Sequence, residues 1–400
     1  MDNLLNNLDA YSPGLYREIG TTISIYDVSF EGAAKLLQAD LVGVEYAVQI
    51  GDCTVLLVDG DLHAQFLEKP GMFSKFIFGS STKSKDQTID LNDLKVLRIF
   101  GSGTHLVAHT EDKEIWCEYK GKGYFDIVNE VPLPTPGTTV LDLSVGKTTV
   151  ATLEKVMVKK STRSARLVPE ISVRTRVVAD VLSSNGEKVD GNVQKYDANN
   201  RVDGRVITYG EDDEIFILLE DNEQRRKVFS VPDKAHASIK SRSKWGFQNK
   251  EVVYATSTDG NPVVYAKTEK FEGLFFCDPT TSKWFPVAIG ESGDMFMRPT
   301  GGSDFVVASC STKCIIVPEV TKILQEGEER QKWVQDFATI VPKTQGDGAK
   351  AVRVSKVLVC GPHIRVLVEV ESESSEDEGE VSEDKDDANR NLGAALEDAV

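Results

Sequence analysis

The sequence of 400 residues predicts an all-β fold assembled from about seven small antiparallel sheets. Short apolar segments of strand length recur along most of the chain, and a glycine followed by a few polar or small residues precedes many of them. The i, i+3, i+4, i+7 spacing of amphipathic helices is present only near Val28–Leu37 and Thr321–Phe337. We therefore expect strands and turns throughout, with local helical excursions at these two places.

The repeated unit is an apolar strand, a glycine, two or three polar or small residues, a second apolar strand, an acidic or glycine turn, and a third strand. Its clearest copy is VLRIFGSGTHLVAHTEDKEIWCEYKGKG, from Val96 to Gly123. Five glycines occupy the marker position before a second strand: Gly51, Gly103, Gly146, Gly302 and Gly361. They are separated by 52, 43, 156 and 59 residues, so the long gap leaves room for two further units.

Five apolar segments inside the long gap are candidate strands: Arg205–Thr208, Glu214–Leu219, Val252–Ala255, Val263–Ala266 and Leu274–Cys277. Repeated small antiparallel sheets bury their faces best by radial stacking, and a closed ring leaves only short, protected edges. We therefore predict a seven-bladed β-propeller over residues 41–370. Residues 1–40 are predicted to be a lead segment that closes the ring, and residues 371–400 a separate tail.

The predicted tail holds most of the chain's negative charge. The chain has a formal net charge of −17, and Glu371–Val400 contains twelve acidic and two basic residues, a net charge of −10. The stretch ESESSEDEGEVSEDKDD has no aromatic residue and one aliphatic residue, too little apolar surface to offset the entropy of ordering the chain. We predict a disordered acidic tail that acts either as a solubilising terminus or as a binding segment.

Composition and motifs exclude several function classes. No apolar run approaches the roughly eighteen residues that span a bilayer, and the N-terminus lacks the basic and apolar regions of a signal peptide. We expect an intracellular protein without membrane segments. Of six cysteines only Cys310 and Cys314 lie close in sequence, and no second ligand pair adjoins them, so we expect buried free thiols, no metal and no cofactor. No catalytic residue is predicted, because neither H-E-x-x-H nor G-x-S-x-G occurs.

Gly146-Lys147-Thr148 matches only the end of a phosphate-binding loop. Such a loop, G-x-x-x-x-G-K-[ST], needs a glycine where this chain has Leu141, and a helix after the threonine. The following segment, Thr149–Leu153, is rich in β-branched residues and favours a strand. We interpret the motif as a strand–turn–strand hairpin.

Two segments of the chain are basic although its net charge is negative. Lys155–Arg176 has seven basic residues and one acid, and Arg225–Lys250 has eight and one, for net charges of +6 and +7. Such segments attract acidic protein surfaces or the chain's own tail, and we expect any binding of nucleic-acid phosphates to be weak. The alternative is that they are solvated loops without a ligand. The candidate partner-binding residues are Lys155, Lys159, Lys160, Arg163, Arg166, Arg225, Arg226, Lys227, Lys240, Arg242, Lys244 and Trp245.

The unit at Val96–Gly123 resembles the repeat of the regulator of chromosome condensation family. Its Gly-x-His and the aromatic strand ending in glycine carry the resemblance, through Gly103, His105, Trp116 and Gly121. Gly361 and His363 repeat the Gly-x-His, whereas the other three marker positions keep only the glycine. The resemblance implies a seven-bladed propeller and a nuclear location.

The family's founding type is a guanine-nucleotide exchange factor for the Ran GTPase that also docks on nucleosomes. By resemblance we expect a protein-interaction propeller, at most an exchange factor for a Ran-type small GTPase, associated with chromatin. This chain lacks the family's basic N-terminal tail and most of its Gly-Gln-Leu-Gly segments, and adds an acidic C-terminus. The alternative is a non-catalytic scaffold whose acidic tail binds basic proteins such as histones or masks its own basic surface.

We expect magnesium–ATP and magnesium–GTP to leave the melting temperature unchanged, because the motif at Gly146 lacks the first glycine and the helix that hold a triphosphate. Thermal-shift measurements on the wild type and on Lys147→Ala test this. A nucleotide-dependent stabilisation that Lys147→Ala abolishes would contradict the hairpin interpretation.

Overall fold

A computed structural model of the chain describes residues 21–29, 33–68, 83–91, 94–133, 138–161, 164–196, 201–209, 213–221, 226–231, 251–258, 261–267, 272–278, 283–290, 298–301, 305–318 and 333–372. Over these residues the chain forms 27 strands and two short helices. The strands make seven antiparallel sheets, six with four strands and one with three. The all-β prediction is confirmed.

The first two strands, β1 (Thr22–Val28) and β2 (Ala34–Leu41), belong to the last sheet, sheet 7. Sheet 1 contains β3 (Val44–Ile50), β4 (Cys53–Val58), β5 (Asp61–Glu68) and β6 (Lys83–Ile89). Sheet 2 contains β7 (Arg98–Ser102), β8 (His105–His109), β9 (Lys113–Gly121) and β10 (Tyr124–Pro132). Sheet 3 contains β11 (Thr139–Val145), β12 (Thr149–Ser161), β13 (Ser164–Val177) and β14 (Asn192–Tyr196), with helix α1 (Val178–Ser183) between its last two strands.

The remaining sheets follow in chain order. Sheet 4 contains β15 (Arg201–Tyr209), β16 (Glu214–Asp221) and β17 (Arg226–Val231). Sheet 5 contains β18 (Glu251–Thr258), β19 (Asn261–Lys267), β20 (Glu272–Asp278) and β21 (Lys283–Gly290). Sheet 6 contains β22 (Arg298–Gly301), β23 (Phe305–Cys310), β24 (Lys313–Pro318) and β25 (Trp333–Asp336), and helix α2 (Phe337–Gln345) follows. Sheet 7 is completed by β26 (Ala349–Cys360) and β27 (His363–Ser372). The five candidate strands of the long gap lie within β15, β16, β18, β19 and β20.

Sheet 7 joins strands from both ends of the described chain. Strand β1 pairs antiparallel with β27 from Thr22 opposite Val370 to Val28 opposite Ile364. Residues of the predicted lead segment therefore form half of this sheet. The helical excursion predicted near Val28–Leu37 is wrong, because Val28 pairs with Ala34 as β1 turns into β2, and tertiary pairing overrides a weak local helix preference. Of the second predicted excursion, residues 321–332 lie outside the described residues, and α2 begins at its last residue, Phe337.

Apolar clusters lie between neighbouring sheets. Leu57 of sheet 1 and Ile115 of sheet 2 belong to one cluster, whereas Trp116 of sheet 2 shares another with Val150 of sheet 3. The first strands of neighbouring sheets are in contact: β3 with β7, β7 with β11, β11 with β15, β15 with β18, β18 with β22, β22 with β26, and β26 with β3. Successive side chains of a strand point to opposite faces of its sheet, so they pack against different neighbouring sheets.

The first strands of sheets 7, 1, 2, 3 and 4 run in one direction. Lys356 Nζ of β26 donates to the carbonyl of Ala47 in β3, at 2.9 Å. Arg98, the first residue of β7, reaches the carbonyl of Val140, near the start of β11, at 3.0 Å. Strands β11 and β15 are joined by two hydrogen bonds, at 3.0 Å each, in which side chains of β11 accept from backbone N–H groups of β15. The turns after these first strands therefore lie on one face, which we call the glycine-turn face.

Four marker glycines occupy this face. Gly51, Gly103, Gly146 and Gly361 each lie in the turn between the first and second strand of their sheet; Gly302 lies outside the described residues. Gly51, Gly103 and Gly361 have nearly equal φ angles of 56°, 58° and 56°, in the left-handed region that favours glycine. Three turns meet at the thiol of Cys360, which accepts from the N–H of Gly51 at 3.2 Å and donates to the carbonyl of Gly103 at 3.6 Å.

The turn at Gly146 holds a carboxylate of the neighbouring sheet. Asp213, in the equivalent turn of sheet 4, accepts hydrogen bonds from the backbone N–H groups of Lys147, Thr148 and Thr149 at 2.7, 2.6 and 2.9 Å, and from the Thr148 hydroxyl at 2.7 Å. A Cβ atom on residue 146 would lie 2.1 Å from Asp213 Oδ1. Glycine is therefore required by the close approach of Asp213. Strand β12 begins at Thr149, so a strand follows this turn, as predicted.

Burial alone would raise the pKa of Asp213, but the hydrogen bonds from Thr148, Lys147 and Thr149 outweigh it and lower that pKa. Asp213 therefore stabilises the fold at neutral pH, and this contribution is lost as the pH falls through its lowered pKa.

We expect Asp213→Asn to reduce the free energy of unfolding by about 2–3 kcal/mol at pH 7, because hydrogen bonds to a charged acceptor are replaced by weaker ones. Denaturant unfolding measures the loss, with the exposed Asp190→Asn as the matched control. Gly146→Ala should displace the same carboxylate, so the double variant should lose less than the sum of the two single losses. Additive losses would show that the two residues do not act together.

Candidate interaction surface

The hairpin of β12 and β13 extends well beyond its sheet. Strand β11 pairs with β12 only as far as Lys155, and β14 pairs with β13 only from Ile171 to Thr175. Beyond these points, residues 156–161 and 164–170 pair only with each other within the described part of sheet 3. We call this two-stranded extension, residues 156–161 and 164–170, the ribbon. At about 3.3 Å per residue, it is about 20 Å long.

The ribbon combines apolar and basic residues. Met157 is 50% exposed although its side chain is apolar. Lys159 is opposite Leu167 in the register, next to the pair of Val158 and Val168. The single acid of the ribbon, Glu170, forms an ion pair with Lys195 of β14 at 2.8 Å. The three basic residues of the ribbon, Lys159, Lys160 and Arg166, have no acidic neighbour within the ribbon sequence except Glu170.

The ribbon and both ends of the described chain lie on the same face. Strand β12 starts at the Gly146 turn, so its far end lies opposite the glycine-turn face. Strand β27 likewise starts at the Gly361 turn and ends at Ser372 on the opposite face, with Val370 beside Thr22 of β1. We call this opposite face the ribbon face.

Buried ion pairs hold the part of the β12–β13 hairpin that lies below the ribbon, both within sheet 3 and against sheet 2. Arg174 of β13 bonds Glu154 of β12 through its Nε at 2.7 Å, and both side chains are largely buried. Arg176 reaches across to Glu114 of β9 with two hydrogen bonds, at 2.9 and 3.0 Å, and bonds Thr152 at 2.8 Å. Arg174 and Arg176, two of the four arginines counted in the net charge of Lys155–Arg176, therefore stabilise the fold and do not add to a surface charge.

A buried histidine lies in the same interface. His109 pairs with Glu114 in the strand register and is 3% exposed, and neither ring nitrogen has a hydrogen-bond partner among the described residues. Burial lowers its pKa to about 4, although Glu114 acts in the opposite direction. The repeat histidine, His105, packs edge-on against Trp116 with ring centroids 6.4 Å apart, and burial also lowers its pKa. These repeat residues act in packing.

The structure separates the predicted partner-binding residues. Lys155 lies at the base of the ribbon, and the backbone of Lys159, Lys160 and Arg166 lies within it. Arg226 and Lys227 begin β17, beside Glu220 and Leu219 of β16. The remaining predicted residues lie outside the described residues: Arg163, Arg225, Lys240, Arg242, Lys244 and Trp245. The two basic segments therefore do not form one continuous strand surface. The repeat position His363 begins β27.

Cys53, Cys117 and Cys314 are buried free thiols, as predicted, and Cys360 is partly exposed. Within the described ranges, no three His, Cys, Asp or Glu side chains come close enough to hold a metal ion. A search of the described helices finds none with the length and apolar character needed to cross a membrane.

Neither a protein-family model nor a curated protein matches the sequence. Solved structures that are similar include AztD from Citrobacter koseri, with a TM-score of 0.37 and 9% identity over 78% of this chain and 94% of that chain. The N-terminal domain of Nup159 gives a TM-score of 0.34 and 11% identity over 63% of this chain and 71% of that chain. We draw no functional conclusion from similarities this low.

We expect His109 to make the fold sensitive to acid. Its pKa is about 4 in the fold against an ordinary value of 6.5, so the unfolded chain takes up the proton first. Stability should therefore fall from about pH 6.5 and level off below about pH 4, losing about 3 kcal/mol from this group. Urea unfolding at pH 7 and pH 4.5 measures the loss.

The variant His109→Gln should show a smaller difference between the two pH values than the wild type, whereas the control His63→Gln should keep it. An equal pH dependence in all three proteins would rule out His109 as the titrating group.

Proposed function

We propose that this chain is a protein-interaction β-propeller whose seven sheets close into one ring. The contacts from β3 through each following first strand to β26, and from β26 back to β3, support this arrangement. The pairing of β1 with β27 supports it too, because it joins the first strands of the chain to the last sheet. A closed ring would leave no long unpaired sheet edge between blades.

The ribbon is the contact surface in this proposal, and its extension beyond the sheet is the observation that carries it. A two-stranded ribbon is marginally stable alone and adds nothing to a propeller core. An exposed Met157 beside basic residues suits a partner surface that is acidic and partly apolar. The chain's net charge of −17 disfavours a nucleic acid as the principal partner.

The resemblance of the Val96–Gly123 unit makes a Ran-type small GTPase the first partner to test. Exchange activity, a nuclear location and chromatin association are proposals that rest on that resemblance alone. The second candidate is a scaffold that binds without accelerating nucleotide release. Its acidic tail, which follows the exposed Glu371 on the ribbon face, would then bind basic proteins such as histones.

A shortened-ribbon variant tests the contact surface. Val156 is opposite Glu170, so Asn-Gly in place of residues 157–169 would close the hairpin with a turn of the correct twist. We expect the melting temperature to change little, and binding to an acidic partner to fall at least tenfold. Binding is measured with a panel of purified small GTPases, and release of a fluorescent nucleotide separates an exchange factor from a scaffold.

The matched control is Lys122→Asn with Lys147→Ser, which removes two exposed positive charges from the glycine-turn face and should leave binding intact. If the shortened-ribbon variant binds its partners as the wild type does, the ribbon is not the contact surface. Core histones are measured alongside, and binding that depends only on residues 371–400 would favour the scaffold.

A further inference from the structure

We propose that the acidic segment Glu373–Asp387 of this chain docks on the ribbon and covers it until a partner displaces it. This inference rests on the proposed role of the ribbon as the contact surface. It adds a regulatory contact within the chain: the occupant of the free ribbon is the chain's own tail.

The tail starts on the correct face. Strand β27 ends at Ser372 on the ribbon face, and Glu371 is exposed. The 15 residues from Glu373 to Asp387 have a contour length of about 50 Å at about 3.3 Å per residue. A compact body of about 350 residues has a radius of gyration of about 20 Å. The tail is therefore long enough to cross from sheet 7 to sheet 3 over one face.

Charge favours the ribbon over the described basic residues of the other segment. The ribbon sequence contains one acid beside Lys159, Lys160 and Arg166, and that acid, Glu170, is already paired with Lys195. The basic run Arg225–Lys227, in contrast, is adjoined in sequence by three acids, Glu220, Asp221 and Glu223. Arg174 and Arg176 are buried in ion pairs. Of these described basic residues, those of the ribbon therefore have the fewest neutralising acids beside them.

The contact should be reversible. Exposed ion pairs are individually weak and are screened over about 8 Å at physiological salt. Tethering compensates, because a tail attached to the same body samples the ribbon at an effective concentration in the millimolar range. A partner with a preformed acidic and apolar surface would displace the tail, since the tail segment has only Val381 to place against Met157.

The test uses the full chain and follows the backbone amide NMR shifts of Glu373–Asp387. We expect these shifts to differ from those of the same segment as a free peptide at 50 mM salt, and to converge on the peptide values at 500 mM salt. The triple variant K159S/K160S/R166S should show peptide-like shifts at both salt concentrations. The matched control K122N/K147S/K188S removes three exposed charges elsewhere and should behave as the wild type.

Tail shifts that are the same in the wild type and the ribbon variant would overturn the proposal. A difference that disappears on tenfold dilution would also overturn it, by assigning the contact to the tail of a second copy. Zero-length carbodiimide cross-linking of the wild type provides an independent check, with cross-links expected between tail carboxylates and Lys159 or Lys160. These measurements need no external partner. Failure of the tail contact can therefore be distinguished from failure of the proposed function.

Discussion

The antiparallel pairing of β1 with β27 is the constraint on which the arrangement of the sheets depends. Without it, β27 would present a row of unpaired N–H and C=O groups, and sheet 7 would lack half of its strands. Polar side chains reinforce the pairing inside the sheet. Glu369 is fully buried and accepts from the hydroxyl of Thr21 at 2.6 Å and from Arg353 at 2.6 Å. The carboxylate keeps both partners only when the strands from both ends of the chain are in register.

The interfaces between sheets combine apolar packing with directed polar contacts. Asp213 in the Gly146 turn joins sheets 3 and 4, and the pair of Arg176 and Glu114 joins sheets 2 and 3. Each contact satisfies groups that would be costly to bury unpaired. Arg174 and Arg176 lie on β13, the strand that continues into the ribbon, and they hold its sheet-bound part in place. A strand fixed in this way gives the element that extends from it a defined position.

Much of the fold could be predicted from local sequence patterns, whereas the polar contacts could not. The marker glycines and the strands of the long gap have local signals, namely a turn residue before a β-rich apolar run. Asp213 has no such signal, because the loop that it caps lies more than 60 residues earlier. Arg176 looks like a surface charge in the sequence, although its partner in β9 buries it. One signal was available: the long run from Thr149 to Ser161 contains no glycine or proline to end the strand, which favours a hairpin longer than its sheet.

Because sheet 7 combines strands from both ends of the chain, it can be completed only after the last strand has been synthesised. Thr21 and Glu369 are 348 residues apart, and at about 5–20 residues per second the ribosome needs about 20–70 s to synthesise that length. During this time β1 and β2 have emerged and can pair with each other, but β27, the second partner of β1, has not. A nascent chain therefore exposes an unpaired β-edge for tens of seconds, and on a polysome the β27 of a leading copy can pair with it. Sheet 7 is thus the place where this protein is most exposed to strand exchange between copies during synthesis.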